Sequence, residues 1–224
     1  FDRTWRFWDV ERGNCVYEQE GHKYAVYAVA MHTDGALCST SDLGGIVRLW
    51  DLRTGRTIVP WRAHVKQCLS LDFSPNGYHL ATSGDDKVVR VWDLRKFGDM
   101  DMEAINGNGN TTAKSLFVIP AHNKLISRVQ YEPVHGRFLS SCSYDGTIKL
   151  WNSLDYKLIT TCKGHDGKVM FTEMIPPRSS SSSTLSASSP SEITPLPHLI
   201  SCGYDRTIRQ WYKSDLSFQL LKSL

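Results

Sequence analysis

Tryptophan recurs down this chain at near-regular intervals, each time before an acidic or polar residue or a tyrosine. The pairs are Trp8-Asp9, Trp50-Asp51, Trp92-Asp93, Trp151-Asn152 and Trp211-Tyr212. Their spacings are 42, 42, 59 and 60 residues. A second series is histidine after a small residue, at Gly21-His22, Ala63-His64, Ala121-His122 and Gly164-His165. The His-to-Trp intervals are 28, 28, 29 and 46 residues, so two local insertions interrupt a period of 42 to 43. A unit of that length cannot bury a core alone. It has to stack on copies of itself.

Within each unit the pattern is that of strands. Ala25–Met31 and Cys68–Phe73 alternate with period two, as half-buried strands do. Thr33-Asp-Gly35 and Pro75-Asn-Gly77 follow, and glycine there supplies the positive φ of a tight turn. Ala36–Thr40 and His79–Ser83 come next, then a turn, then Val47–Trp50 and Val88–Trp92. A fourth strand follows each Trp, and no helical run is evident. Four short antiparallel strands per unit, with Gly-His near the start and Trp-Asp near the end, resemble a WD40 repeat. The expected fold is an all-β WD40 β-propeller.

Four units are complete, and Phe1–Glu20 is the end of a fifth. Seven such units, the usual number in the family, need about 300 residues. Residues 1–224 are therefore expected to be the C-terminal portion of one larger propeller, with an unpaired sheet edge near Phe1. The chain opens on Phe1 without a basic-then-apolar leader. No apolar run reaches the roughly 20 residues of a membrane helix. The expectation is a soluble intracellular piece of a longer protein with no membrane association.

A third anchor is an Asp six residues before Trp, at Asp2, Asp86, Asp145 and Asp205. Four residues before that position stands a hydroxyl: Thr40, Thr82, Ser141 and Ser201. Each complete unit thus offers a tetrad. The sets are His22, Thr40 and Trp50; His64, Thr82, Asp86 and Trp92; His122, Ser141, Asp145 and Trp151; and His165, Ser201, Asp205 and Trp211. A Ser-His-Asp hydrolase needs one such set, not four. The recurrence points to buried polar networks in which every donor and acceptor is satisfied. The unit ending at Trp50 departs from the pattern. Its Asp position holds Gly44, and Asp42 comes two residues early. Its network is expected to be incomplete or rearranged.

Composition excludes several function classes. Lys and Arg number 26 against 23 Asp and Glu, too even for a polybasic nucleic-acid binder. Six cysteines are too few for a disulfide scaffold, and no Cys-x-x-Cys or His-x-x-x-His suggests a metal. The expectation is a non-catalytic chain with no cofactor and no metal. The insertions, at about 97–113 and 177–197, contain Asn106-Gly-Asn-Gly-Asn110 and the run Ser179 to Ser183. Both are expected to be flexible and solvated, on the end of the disc opposite the His loops. Ser189-Pro190 and Thr194-Pro195 are candidate sites for proline-directed kinases.

Partners of WD40 propellers usually bind the face that carries the His loops and the turns before the third strand. Here the loops hold Lys23, Tyr24, Lys66, Lys124 and Lys168, and the turns hold Asp85, Tyr144, Tyr204 and Arg206. A basic, aromatic rim of this kind is a candidate site for an acidic peptide or an RNA backbone.

Several non-repeat segments sharpen the resemblance. They are Trp50-Asp-Leu-Arg-Thr-Gly-Arg56, Ser74-Pro-Asn-Gly-Tyr-His-Leu-Ala-Thr82, Ile119-Pro-Ala-His122, Glu132-Pro-Val-His-Gly136, Ser143-Tyr-Asp145 and Gly164-His-Asp-Gly-Lys-Val-Met170. As an ordered set they resemble the C-terminal propeller of the pre-mRNA-processing factor four family, the WD-repeat proteins of the U4/U6 small nuclear ribonucleoprotein. That resemblance implies a nuclear scaffold of the spliceosomal U4/U6·U5 tri-snRNP. It implies as partners a companion protein that grips the U4/U6 snRNA duplex and a cyclophilin, with the RNA itself reached mainly through them. An alternative rests on Trp50-Asp-Leu-Arg53 and Trp92-Asp-Leu-Arg95. Trp-Asp-x-Arg also marks substrate receptors of cullin-type ubiquitin ligases.

Overall fold

In the computed structural model, residues 1–97, 113–175, 198–214 and 217–223 are described. The two insertions named above lie almost wholly outside them. The first sheet pairs β1 (Trp5–Asp9) with β2 (Asn14–Gln19). The second runs β3 (Val26–Met31), β4 (Leu37–Asp42), β5 (Ile46–Asp51), β6 (Arg56–Arg62). The third runs β7 (Cys68–Phe73), β8 (His79–Gly84), β9 (Val88–Asp93), β10 (Phe117–Pro120). The fourth is β11 (Ile126–Tyr131), β12 (Phe138–Ser143), β13 (Thr147–Asn152), β14 (Leu158–Lys163). The fifth is β15 (Val169–Ile175), β16 (His198–Gly203), β17 (Ile208–Ser214), β18 (Ser217–Ser223). All pairings are antiparallel between sequence neighbours, so each sheet is a meander. Helix is confined to one 3₁₀ turn, Leu94–Phe97, among the described residues. This is the all-β architecture of stacked four-stranded blades.

The turns behave as their residues require. Gly35 and Gly77 have φ of 70° and 75° and close the hairpins after the first strands. A β-bulge falls at the same place in each first-to-second strand pair, for instance between Val26 and Ala28 and between Cys68 and Ser70. Another falls at Trp50, Trp151 and Trp211 where third and fourth strands pair. Bulges add twist, which blades need in order to fan out.

The core lies between sheets, not within one. Trp61 packs edge-on to Trp92 of the next sheet with ring centroids 5.7 Å apart, among Val47, Leu71 and Leu80. Val89, Val129, Leu139 and Trp151 fill the following interface, and Ile148, Leu150, Met174 and Trp211 the last. Trp5 meets Trp50 across the first, at 5.4 Å.

Inner strands are stapled sheet to sheet by side chains. The Ser41 hydroxyl donates to the Cys68 carbonyl at 3.2 Å, and Ser127 to that of Val169 at 2.7 Å. Asp72 Oδ2 accepts the Tyr131 N–H at 2.7 Å, and Gln130 Oε1 that of Met174 at 3.0 Å. Backbone groups of β7, β11 and β15 that their own sheets leave open are thus satisfied by side chains of the preceding blade. On β3, which leads the second sheet, Tyr27, Val29 and Met31 remain exposed.

Candidate functional site

Each repeat histidine sits in the connection from an outer strand to the inner strand of the next sheet. There it meets the hydroxyl of that sheet's second strand. His22 Nε2 is 2.7 Å from Thr40 Oγ1, His64 Nε2 2.8 Å from Thr82 Oγ1, His122 Nε2 2.9 Å from Ser141 Oγ, and His165 Nε2 2.7 Å from Ser201 Oγ. The same oxygens accept the indole N–H of the third strand. Trp50, Trp92, Trp151 and Trp211 donate at 2.7, 2.9, 2.9 and 2.8 Å. Indole can only donate, so each hydroxyl oxygen accepts from it, and in a neutral imidazole with its proton on Nδ1 the hydroxyl proton goes to His Nε2. That leaves Nδ1–H to point at a carboxylate.

The carboxylate is there in all four units. His64, His122 and His165 Nδ1 lie 2.8, 3.0 and 2.8 Å from Asp86, Asp145 and Asp205. In the unit ending at Trp50, His22 Nδ1 is 2.9 Å from Asp42 Oδ2. That network is rearranged and complete. Asp42 Oδ1 also accepts the N–H groups of Gly44 and Ile46 at 2.9 and 3.0 Å, the turn bonds that Asp145 and Asp205 make with Thr147 and Thr207. Gly44 is needed where it stands, since a Cβ there would run into the Tyr24 ring.

Electrostatics agree with a structural network. Burial opposes ionisation of Asp86, but the His64 hydrogen bond and charge, with Arg90, outweigh it and hold its pKa low. Burial likewise opposes ionisation of Asp205, and bonds from His165 and Thr207 override it and keep the carboxyl ionised well below the usual range. Burial pushes His122 down, against the pull of Asp145. Thr40, Thr82 and Ser141 are wholly buried, and each hydroxyl is committed at both ends. None can serve as a nucleophile for a substrate arriving from solvent.

The rim residues divide into four sets. Lys168 Nζ stands 4.8 Å from the centre of the Tyr144 ring and 5.4 Å from that of Tyr204, a cation shared by two aromatics. Burial, then the neighbouring Tyr27 and Tyr204, raise the Tyr144 pKa. Lys66 Nζ pairs with Asp85 at 3.1 Å, so those two charges compensate each other. Tyr24 lies over Gly44. Lys23, Lys124 and Arg206 are exposed and make no side-chain hydrogen bond or ion pair among the described residues.

Two features went unread in the sequence. Tyr27 joins the aromatic group near Tyr144. The residue two before every repeat Trp is basic: Arg6, Arg48, Arg90, Lys149 and Arg209. Arg48 Nη2 and Lys149 Nζ donate to the carbonyls of Gly21 and Ala121, both at 2.6 Å, and so hold the residue before the histidine. Arg90 and Arg209 instead reach Asp86 and Asp205, at 3.6 and 3.3 Å. The periodicity of charge at that position was the available signal.

Among the described residues, no group of three His, Cys, Asp or Glu could hold a metal ion, and no helix is long and apolar enough to cross a bilayer. Burial pushes the Cys38, Cys68 and Cys162 thiols up to about 12 and that of Cys142 to about 11, far from reactivity.

The family described as WD domain, G-beta repeat matches residues 13–51, 55–93, 113–152 and 156–212, most of the chain. The chain belongs to the WD40 family. Each matched unit starts at the outer strand of one blade and ends in the third strand of the next, so a WD40 unit straddles two blades and its histidine lies at the crossing. Among curated relatives, nuclear distribution protein PAC1 of Yarrowia lipolytica is 31% identical over 94 residues, which is 40% of this chain and 21% of that protein. WD repeat-containing protein 75 of Mus musculus is 41% identical over 51 residues, 23% of this chain and 6% of that protein. Its Homo sapiens counterpart is 40% identical over 58 residues, 24% and 7%. The chain therefore spans only a small part of the length of these relatives. WD repeats are platforms for protein–protein interaction, and that is the level at which the family defines this chain.

Proposed function

We propose that this chain is a non-catalytic scaffold of the spliceosomal U4/U6·U5 tri-snRNP, acting in pre-mRNA splicing in the nucleus. The ordered non-repeat segments from Trp50 to Met170, which resemble the U4/U6 WD-repeat family, support the splicing assignment. The observation that carries a docking role is the surface group of exposed Lys168 and Tyr204 with half-buried Tyr144 on the His-loop face. Together with Lys23, Lys124 and Arg206 it offers unpaired cations and aromatic faces to an acidic protein segment. The partners in this reading are the companion protein that grips the U4/U6 duplex and a cyclophilin. The snRNA is held chiefly through them. The two-strand first sheet and the exposed Tyr27, Val29 and Met31 fit a portion of a larger propeller, whose further strands would cover them.

Charge reversal tests the rim. Lys124→Glu and Lys168→Glu together should abolish recovery of the companion protein while leaving the thermal transition in place. Full recovery would refute the reading. For the ubiquitin-ligase alternative the two arginines differ. Arg95 is bound twice by Asp93 at 2.9 Å and stacks on Tyr78, whereas Arg53 projects into solvent. Arg53, held only by a 3.8 Å contact with Asp51, is the more available of the two to an adaptor.

A further inference from the structure

A cavity of about 500 Å³ opens at the other end of the strands from the rim. Its walls come from two neighbouring blades. Asn76 and His79 stand on one side, and His135, Arg137, Asn152 and Leu154 on the other. The two blades meet tightly at its edge. A Cβ on Gly136 would stand 3.0 Å from Pro75 and 3.2 Å from the Ser74 hydroxyl, and Gly136 holds φ at 63°.

The loop that carries His135 and Arg137 is fixed by a buried acid. The Glu132 carboxylate accepts the N–H groups of Val134, His135 and Arg137 at 3.0, 3.0 and 3.2 Å. Its charge is thereby committed to backbone. Asn152 Oδ1 likewise fixes the Leu154 N–H at 2.9 Å, and Asn76 Oδ1 the Tyr78 N–H at 2.8 Å. Asp93, whose charge reaches His79, is already held by Arg95. Among the described residues, no carboxylate lines the cavity. Arg137 and His135 are exposed and make no side-chain hydrogen bond or ion pair among the described residues. Leu154 beside them is 86% exposed. A rigid frame thus presents one unpaired guanidinium, two imidazoles and one bare leucine.

We propose that this inter-blade cavity is a second docking site, which takes a partner's peptide through one acidic side chain and one apolar side chain. The carboxylate sits against Arg137 in a bidentate pair with His135 beside it, and the apolar residue covers Leu154. The site is separate from the rim and independent of the splicing assignment.

The test is a proton NMR titration of the full chain with an acetylated, amidated leucine–aspartate–leucine tripeptide. The asparagine version serves as the control. The ring protons of His135 and His79 should shift and saturate with the aspartate peptide and not with the asparagine one. Arg137→Gln, at an exposed position that leaves the fold intact, should weaken binding about tenfold. Lys168→Gln on the rim should leave it unchanged. Equal binding of the two peptides, or an undiminished affinity in Arg137→Gln, would overturn the proposal. Inorganic phosphate binding more tightly than the aspartate peptide would overturn the choice of a carboxylate.

Discussion

His22 Nδ1 lies 2.9 Å from Asp42 Oδ2, although Asp42 stands two residues before the position that carries the carboxylate in the other three complete units. Those units have Gly84, Ser143 and Gly203 where the first has Asp42, and Asp86, Asp145 and Asp205 where it has Gly44. One tight turn can therefore deliver a carboxylate to the same imidazole from either position. The choice is set by what lies over the turn, here the Tyr24 ring against Gly44.

Asp42→Ala should cost about 1–3 kcal/mol, because it strips His22 Nδ1–H of its acceptor inside the protein. The double variant Asp42→Gly with Gly44→Asp should not recover that loss, since Tyr24 fills the space a side chain at 44 needs. Urea denaturation of the three proteins reads this directly. A fully stable double variant would mean that Tyr24 yields easily.

Thr82→Val keeps shape and removes one hydroxyl. Two buried groups then lose their partner, Trp92 Nε1–H and His64 Nε2. The expected loss is about 3 kcal/mol, more than a surface hydrogen bond contributes. A shift in the denaturation midpoint below a third of that would argue against a shared hydroxyl.

Asp72 should impose a pH dependence. Burial pushes its pKa up to about 6, against the Tyr131 N–H and Arg128, which lower it, and with Glu173, which adds to the rise. A free aspartate carboxyl titrates near 3.8. A raised folded pKa means that the folded chain holds the proton longer. This contribution is most favourable below the unfolded pKa and is lost as pH rises through the folded one. Stability should therefore fall by on the order of 2 kcal/mol across that window, from this residue. Asp72→Asn keeps an acceptor for Tyr131 and should flatten the profile. An unchanged slope in urea melts at pH 4.5 and 7 would contradict the assignment.

Lys87 has φ of 67° at a turn position where Gly45 and Gly146 have 82° and 84°. A side chain there costs more than the backbone freedom that glycine loses on folding. Lys87→Gly should stabilise the chain by about 0.5 kcal/mol, seen as a small rise in Tm. A fall in Tm would show that the Lys87 side chain holds the turn.

The sequence made the histidines, hydroxyls and tryptophans legible because each is the only residue type that fits its place in the chain of donors and acceptors. Trp only donates, the hydroxyl does both, and neutral imidazole does both at opposite edges. The carboxylate was less legible, since Asp42 and Asp86 reach the same atom from different turn positions. The inter-blade staples were invisible for a related reason. Any side-chain oxygen of suitable reach can accept a neighbour's N–H, so Asp72 and Gln130 share a role without sharing a residue type. The basic residue before each Trp was periodic, but its two geometries, carbonyl for Arg48 and carboxylate for Arg209, follow from local packing. The cavity at Arg137 depends on how adjacent blades abut at Gly136, and no single repeat contains that contact.

The most direct test of the scaffold reading is the RNA that accompanies the protein. The full-length protein would be tagged, purified from nuclear extract in mild salt, and its bound small RNAs probed. Enrichment of U4 and U6 together is the predicted result. Recovery of a ubiquitin-ligase adaptor with no small RNA would contradict it and direct attention to Arg53.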